Sequence, residues 1–123
     1  MIEFELAGEP KPKGRPRMTR TGHTYTPKET RQAEIAVQLA WELAGGQKLN
    51  GPLVLECWFY VGTKRKKDTD NMLKLVQDAL NKQAYEDDDQ IVELHASKIY
   101  TTPDEARTRV RIFQKMRTVY EHR

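Results

Sequence analysis

The sequence predicts an α+β fold: one domain over residues 1–123, with a mixed β-sheet of about four strands and two helices in the order β-α-β-α-β-β. Two observations carry that expectation. Four stretches have the residue pattern of strands, one of them apolar on both faces, and two others repeat apolar residues with the period of a helix. The order of these stretches favours one sheet with the helices packed mainly on one of its faces.

The first stretch, "IEFELAG", sets Ile2, Phe4 and Leu6 against Glu3 and Glu5, a half-buried strand. "GEPKPKGRPRMTRTGHTYTP" follows, too long and too rich in Pro and Gly for a simple turn, and reads as an exposed functional loop. "TPKE" has the form of a capping box, with Thr26 at the N-cap, Pro27 at the first helical position and Glu29 reaching back. The next helix carries the stripe Ala33, Ala36, Val37, Ala40, Trp41 and Ala44, and Gly45-Gly46 ends it. In "GPLVLECWFYV", Leu53, Leu55, Cys57, Phe59 and Val61 occupy one face and Val54, Trp58 and Tyr60 the other, the pattern of a central strand covered on both sides. Met72, Leu73, Val76, Ala79 and Leu80 then fit one face of a helix from about 70 to 82. "QIVELHASKIY" and "ARTRVRIFQK" read as two strands forming a hairpin around "TTPDE", and the basic tail from Arg117 to Arg123 is expected to fray.

Composition narrows the function classes. No apolar run approaches the ~20 residues of a membrane-spanning helix, and the N-terminus lacks a signal-peptide core, so a cytoplasmic protein is expected. The single cysteine, Cys57, excludes an intrachain disulfide and a multi-cysteine zinc site, and its apolar surroundings suit a small buried hydrophobe. His23, His95 and His122 lie too far apart for a ligand spacing. The formal net charge is only +3, but it is unevenly spread. Lys11, Lys13, Arg15, Arg17, Arg20, Lys28 and Arg31 are interrupted by one acid, Glu29, whereas acids dominate from Asp68 to Glu93. Such alternation suits a polyanion held around a metal, and equally suits two unrelated solvated surfaces.

The acids are clustered. "KKDTDNMLKLVQDAL" sets Asp68 and Asp70 at i, i+2 where an extended segment meets a helix, directly after Lys64, Arg65, Lys66 and Lys67. Asp70 is readable as an ordinary N-cap. Asp68 is not, and two carboxylates on one side of an extended chain repel unless a cation lies between them. Lys74 is four residues from Asp70, and Asp78 four from Lys74, which is also the spacing of a surface ion-pair ladder. Asp87, Asp88 and Asp89 form a second cluster, readable alone as an acidic turn. Taken together, Asp-x-Asp, Lys, Asp-Asp suits a divalent-metal phosphodiesterase. Mg²⁺ takes hard oxygen ligands, usually a few carboxylates completed by water and substrate phosphate. A bound ion activates water and neutralises charge on the phosphate, and a neighbouring Lys adds positive charge where negative charge develops. The flanking Lys and Arg residues are then required because acids alone would repel DNA. An EF-hand does not fit, since the sixth position from Asp68 is Leu73 rather than Gly.

These residues resemble the RusA-type Holliday-junction resolvases: small, dimeric, Mg²⁺-dependent endonucleases of phages and prophages that nick four-way DNA junctions. The family pattern D-x-D-N, a Lys four residues on, D-A-L and D-D-x-Q is matched by Asp68, Asp70, Asn71, Lys74, Asp78-Ala79-Leu80 and Asp87-Asp88-x-Gln90, and "GEPKPKGRPRM" resembles the family's opening. The resemblance implies that Asp68, Asp70 and Asp88 bind metal and that Lys74 is essential, with Asn71, Asp78, Asp87 and Gln90 supporting them. It implies Mg²⁺, with Mn²⁺ able to substitute, and a homodimer acting on branched DNA with no membrane partner. Lys11, Lys13, Arg15, Arg17, Arg20, Lys64, Arg65, Lys66 and Lys67 are the expected DNA contacts. Asp89 fills the variable position of D-D-x-Q, which leaves Asp87, Asp88 and Asp89 competing as third ligand. A non-catalytic basic nucleic-acid-binding module is the alternative; a hydrolase of small phosphorylated substrates would have no use for so long a basic loop. The three carboxylates are expected to converge at one end of the sheet.

Overall fold

The computed structural model describes residues 1–116; the basic tail and His122 lie outside the described residues. Six strands and two helices follow one another: β1 (Ile2–Ala7), β2 (Arg17–Met18), β3 (Thr24–Tyr25), α1 (Lys28–Leu43), β4 (Leu53–Val61), α2 (Thr69–Leu80), β5 (Ile91–Tyr100) and β6 (Arg107–Gln114). Strands β2 and β3 form a small antiparallel ribbon of their own inside the long N-terminal loop. The remaining four make the mixed sheet, in the order β1-β6-β4-β5.

β4 is the interior strand the alternation predicts, parallel to β5 on one side and antiparallel to β6 on the other. Leu53, Leu55, Cys57, Phe59 and Val61 are all buried and face the helices, with Phe4, Val110 and Ile112 beside them. Burial raises the pKa of the Cys57 thiol far above its ordinary value, which keeps it an inert apolar filler. α2 contributes Met72, Leu75, Val76, Ala79 and Leu80 to this core, with Leu73 half-buried at its margin. α1 contributes Val37 and Trp41, and Phe4 meets Trp41 edge-to-face at 6.5 Å. Gly45 takes φ +81° after α1, and Gly46 lies so close to the Trp41 ring that any side chain there would overlap it. Among the described residues no helix is long and apolar enough to cross a membrane.

Several local expectations are corrected. β5 and β6 do not form a hairpin: β4 lies between them. The cause is α2, which carries the chain back along β4 so that β5 starts at the same sheet end as β4, as a βαβ crossover requires. α1 begins at Lys28 with Pro27 in the cap position and no side-chain cap, so Thr26 and Glu29 form no capping box. Its first turn is tied down instead by buried Thr30, whose Oγ1 accepts the Gly14 amide at 3.1 Å. In the predicted stripe, Ala36 and Ala44 remain exposed. α2 is capped by Asp68 rather than Asp70, and it ends at Leu80.

Candidate metal centre and nucleic-acid interface

Three chain segments meet where α2 begins. After β4 the chain turns through Gly62, whose amide donates to Glu9 Oε1 at 2.9 Å. Glu9 Oε2 accepts the Lys67 ammonium at 2.5 Å, and Pro10 carbonyl accepts it at 3.1 Å. The Lys13 amide donates to the Asn71 carbonyl at 2.9 Å, and the Lys98 ammonium reaches from β5 to the Lys67 carbonyl at 2.8 Å. The long N-terminal loop and the loop at 62–68 are thereby fastened to each other and to the start of the helix. Here Asp68 and Asp70 stand exposed. The Asp68 carbonyl accepts the amides of Asn71 and Met72, but its carboxylate makes no cap bond. Asp70 Oδ1 accepts the Asn71 amide at 3.0 Å. Neither carboxylate is in an ion pair among the described residues, so both are available to a cation.

One turn further along α2, Lys74 is exposed and only loosely held, 3.5 Å from Asp78. Asp78 is the more committed partner, since its other oxygen lies 3.0 Å from Lys13, which also bonds Glu34 at 2.9 Å. Partial burial would lower the Lys13 pKa, but its bonds to Glu34 and Asp78 outweigh that and hold the ammonium charged. Lys13 and Lys67 therefore serve as internal ties that assemble the loops, unlike the freely available phosphate contacts their sequence setting suggests.

The acidic turn is built differently. Asp87 caps a single 3-10 turn at Asp88–Gln90, its Oδ1 accepting the Asp89 amide at 2.9 Å. That amide, followed by a hydrogen bond with Asp88, lowers the Asp87 pKa below its ordinary value. Gln90 Oε1 accepts the amides of Glu86 and Asp87, while its Nε2 donates to the carbonyls of Leu49 and Gly51 at 3.1 Å each. Below it, buried Tyr85 donates its hydroxyl to the Gln77 carbonyl at 2.7 Å. Asp87 and Gln90 are thus occupied as a cap and a clamp, and Asp88 and Asp89 are displayed to solvent at the start of β5.

One expectation about this geometry is not met within a single chain. Asp68 caps the first residue of α2, and the acidic turn lies past its last; twelve residues of helix span about 18 Å. The sheet register agrees, pairing Val61 with Tyr100 at the Asp68 end and Leu53 with Ile91 at the acidic-turn end. A short loop after α2 cannot return the chain past the helix it has just traversed. Accordingly, among the described residues no three His, Cys, Asp or Glu side chains are grouped so as to hold a metal ion.

The cations are sorted by location. On the open face of the sheet, Arg107, Arg109 and Arg111 are each paired with carboxylates from Glu3, Glu5, Glu56 or Glu105. Arg107 stacks 3.8 Å over Tyr60, and Arg109 and Arg111 flank Trp58. Of the nine predicted DNA-contacting residues, Lys13 and Lys67 are tied down. The other seven (Lys11, Arg15, Arg17, Arg20, Lys64, Arg65 and Lys66) are in no side-chain ion pair among the described residues, and all are exposed. A groove of about 430 Å³ runs along the N-terminal loop beside Lys11, Arg15 and Arg17. Sequence reasoning passed over Glu9 and Lys98, which fasten the loops beside Asp68. Each is one charged residue far in sequence from its partner, and no local pattern marks it.

Comparison with known proteins gives the same direction. The chain is similar over 90% of its length to an uncharacterized protein, YqaN, of Bacillus subtilis (strain 168), at 32% identity over 136 aligned positions covering 94% of that protein. A family model described as endodeoxyribonuclease RusA matches residues 7–113, which spans the N-terminal loop, both acidic clusters and strands β4, β5 and β6 but for the last residue. The chain belongs to the RusA endodeoxyribonuclease family, nucleases that act on Holliday junctions.

Proposed function

We propose that this protein is a Mg²⁺-dependent, structure-selective DNA endonuclease that resolves four-way junctions by paired nicks, as a homodimer, in DNA recombination and repair. The observation that carries the reading is the juxtaposition at the start of α2: two exposed, unpaired carboxylates between two loops bearing seven unpaired cations. Their donor set fits the ion, because Mg²⁺ is commonly held by one or two carboxylates with water and substrate phosphate filling the other positions. When bound, it supplies an activated water and relieves the charge on the phosphate under attack. Asp68 and Asp70 hold it, Lys74 offers a mobile positive charge one turn away, and the cations of the two loops grip the DNA backbone on either side.

The distant acidic turn acquires a role if two copies associate. A two-fold axis beside the middle of α2 exchanges the ends of that helix, so the acidic turn of one copy approaches Asp68 and Asp70 of the other. Two such sites, one per strand, suit paired nicking. Cleavage of a synthetic four-way junction with and without Mg²⁺ tests the activity. Mixing Asp70→Asn with Asp88→Asn tests the sharing: neither variant alone should cut, and the mixed dimer should recover one intact site and nick one strand. No nicking with any divalent ion would leave the non-catalytic module, to which the separation of Asp88 from Asp68 and Asp70 within one chain lends itself.

A further inference from the structure

The β2–β3 ribbon has features that phosphate binding alone does not explain. Every residue from 15 to 25 is exposed, so the ribbon contributes no buried residue to the core. A two-stranded ribbon is marginal on its own, yet this one is closed by a definite turn. The Thr19 amide donates to the His23 carbonyl at 2.8 Å, and the His23 amide to Thr19 Oγ1 at 3.1 Å. The Gly22 amide reaches the Thr19 carbonyl at 3.1 Å, with Gly22 at φ +86°, a conformation that suits glycine. At its root, Gly14 is pressed onto Thr30 so closely that a Cβ would overlap the threonine hydroxyl. The ribbon is therefore anchored at one end and shaped at the other, and its residues stay open to solvent.

Its register puts an aromatic ring beside a cation. Arg17 is directly opposite Tyr25, so the two share a face. Tyr25 is 48% exposed and Arg17 has no carboxylate partner among the described residues. Arg15 and Arg20 belong to the same segment, and Lys11 lines the groove beside Arg17, with Glu29 the one acid there. An exposed aromatic next to an unpaired guanidinium suits a nucleobase whose own phosphate lies within reach: the ring takes the base face and the guanidinium the backbone. A continuous duplex has no free base faces, because each is covered by its neighbours. At a branch point the stack is interrupted and such faces become accessible.

We infer that the β2–β3 ribbon reads the branch point itself, with Tyr25 stacking on an unstacked base and Arg17 holding the adjoining phosphate, so that preference for junction over duplex comes from this ribbon. This rests on the junction-nuclease reading and assigns its structure selectivity to a residue outside the acidic motif.

The test measures binding, without divalent ions so that no strand is cut, to a four-way junction carrying 2-aminopurine at the branch point and to a linear duplex with the same arm sequences. Tyr25→Ala should weaken junction binding about tenfold, as loss of one stacked base does, leave duplex binding unchanged, and abolish the 2-aminopurine signal. Tyr25→Phe should behave as wild type, and Arg17→Ala should weaken binding to both DNAs. Equal losses on junction and duplex for Tyr25→Ala, or an unchanged 2-aminopurine response, would overturn the inference while leaving the nuclease reading intact. So would a fall in sedimentation mass for Tyr25→Ala, which would assign the ribbon to self-association. A wild-type protein that neither prefers nor cuts the junction would remove both readings together.

Discussion

The two ends of α2 each expose aspartates, but they are built on opposite plans. At the N-terminal end the backbone is fastened by Glu9, Lys13, Lys67 and Lys98, while Asp68, Asp70, Lys64, Arg65 and Lys66 have no ion-pair partners among the described residues. At the C-terminal end the aspartates join the scaffold themselves: Asp87 caps the turn and Gln90 pins it to the residues before β4. Unpaired like charges are unfavourable in a free protein and become favourable only when a counter-charge arrives. On the proposed reading, the first end is the one that receives counter-charges of both signs, a metal ion and a polyanion. The second is a rigid mount for one or two carboxylates.

The contrast is broken most sharply by neutralising one carboxylate at each end. Asp70→Asn should retain the fold and junction binding while cleavage falls by about 10³-fold or more, since a metal ligand is removed with little change of shape. Asp88→Asn should approach that loss, and Asp89→Asn should be milder; the reverse ranking in single-turnover assays would move the ligand by one residue. Added Mg²⁺ should also raise the melting temperature by binding the folded state, and Asp68→Asn should diminish that rise.

Next in size is the mount. Gln90→Ala removes hydrogen bonds to four backbone groups at once and should cost about 2 kcal/mol in denaturant titration, with cleavage falling because the turn no longer holds Asp88 still. A variant as stable as wild type would mean that the clamp is dispensable.

The cations distinguish ties from contacts. Replacing Arg15 and Arg17 by Ala should flatten the salt dependence of duplex binding by about 0.9 in the log–log slope per lost phosphate contact, with stability unchanged. Lys13→Ala should do the opposite, lowering thermal stability through Glu34 and Asp78 with little effect on the slope. Equal slopes for both would erase the distinction between paired and unpaired cations.

The smallest effect concerns pH. The Asp87 pKa is lowered in the fold, so its capping bond contributes stability above its unfolded value and loses it as pH falls through the lowered one. The acidic turn should therefore persist at mildly acidic pH and loosen only in strong acid, below the ordinary aspartate range. Protection of the Asp89 amide against hydrogen exchange reports this, and Asp87→Asn should remove the pH dependence.

Much of this layout is legible in the sequence because burial writes itself into periodicity. β4 is apolar on both faces because it lies inside the sheet with the core on one side, and Met72, Val76, Ala79 and Leu80 mark the buried side of α2 for a similar reason. Pairing is less legible. Strand chemistry says that β5 and β6 are strands but not that β4 separates them, since the crossover depends on α2 packing back on the sheet. Charge partnership is least legible of all. Lys13 and Lys67 resemble their neighbours in every local respect, yet Glu34 lies 21 residues from Lys13 and Glu9 58 from Lys67. The same blindness applies to Asp88: a motif records spacing along the chain, and a helix of fixed rise turns that spacing into distance.

The position of β6 has a further consequence, for the order of assembly. β6 is the last strand of the sheet to be synthesised, yet it is flanked by β1 and β4, with Glu3 opposite Arg111 and Cys57 opposite Val110. During synthesis the first strand waits for about a hundred residues before β6, its partner in the sheet, exists, which places much of the folding free energy in contacts of high sequence separation and slows the rate. The crossover of β4, α2 and β5 is more local and can form ahead of it. A chain truncated before Arg107 would accordingly retain that crossover as a partly collapsed unit, with β4 bare along one edge and β1 unattached.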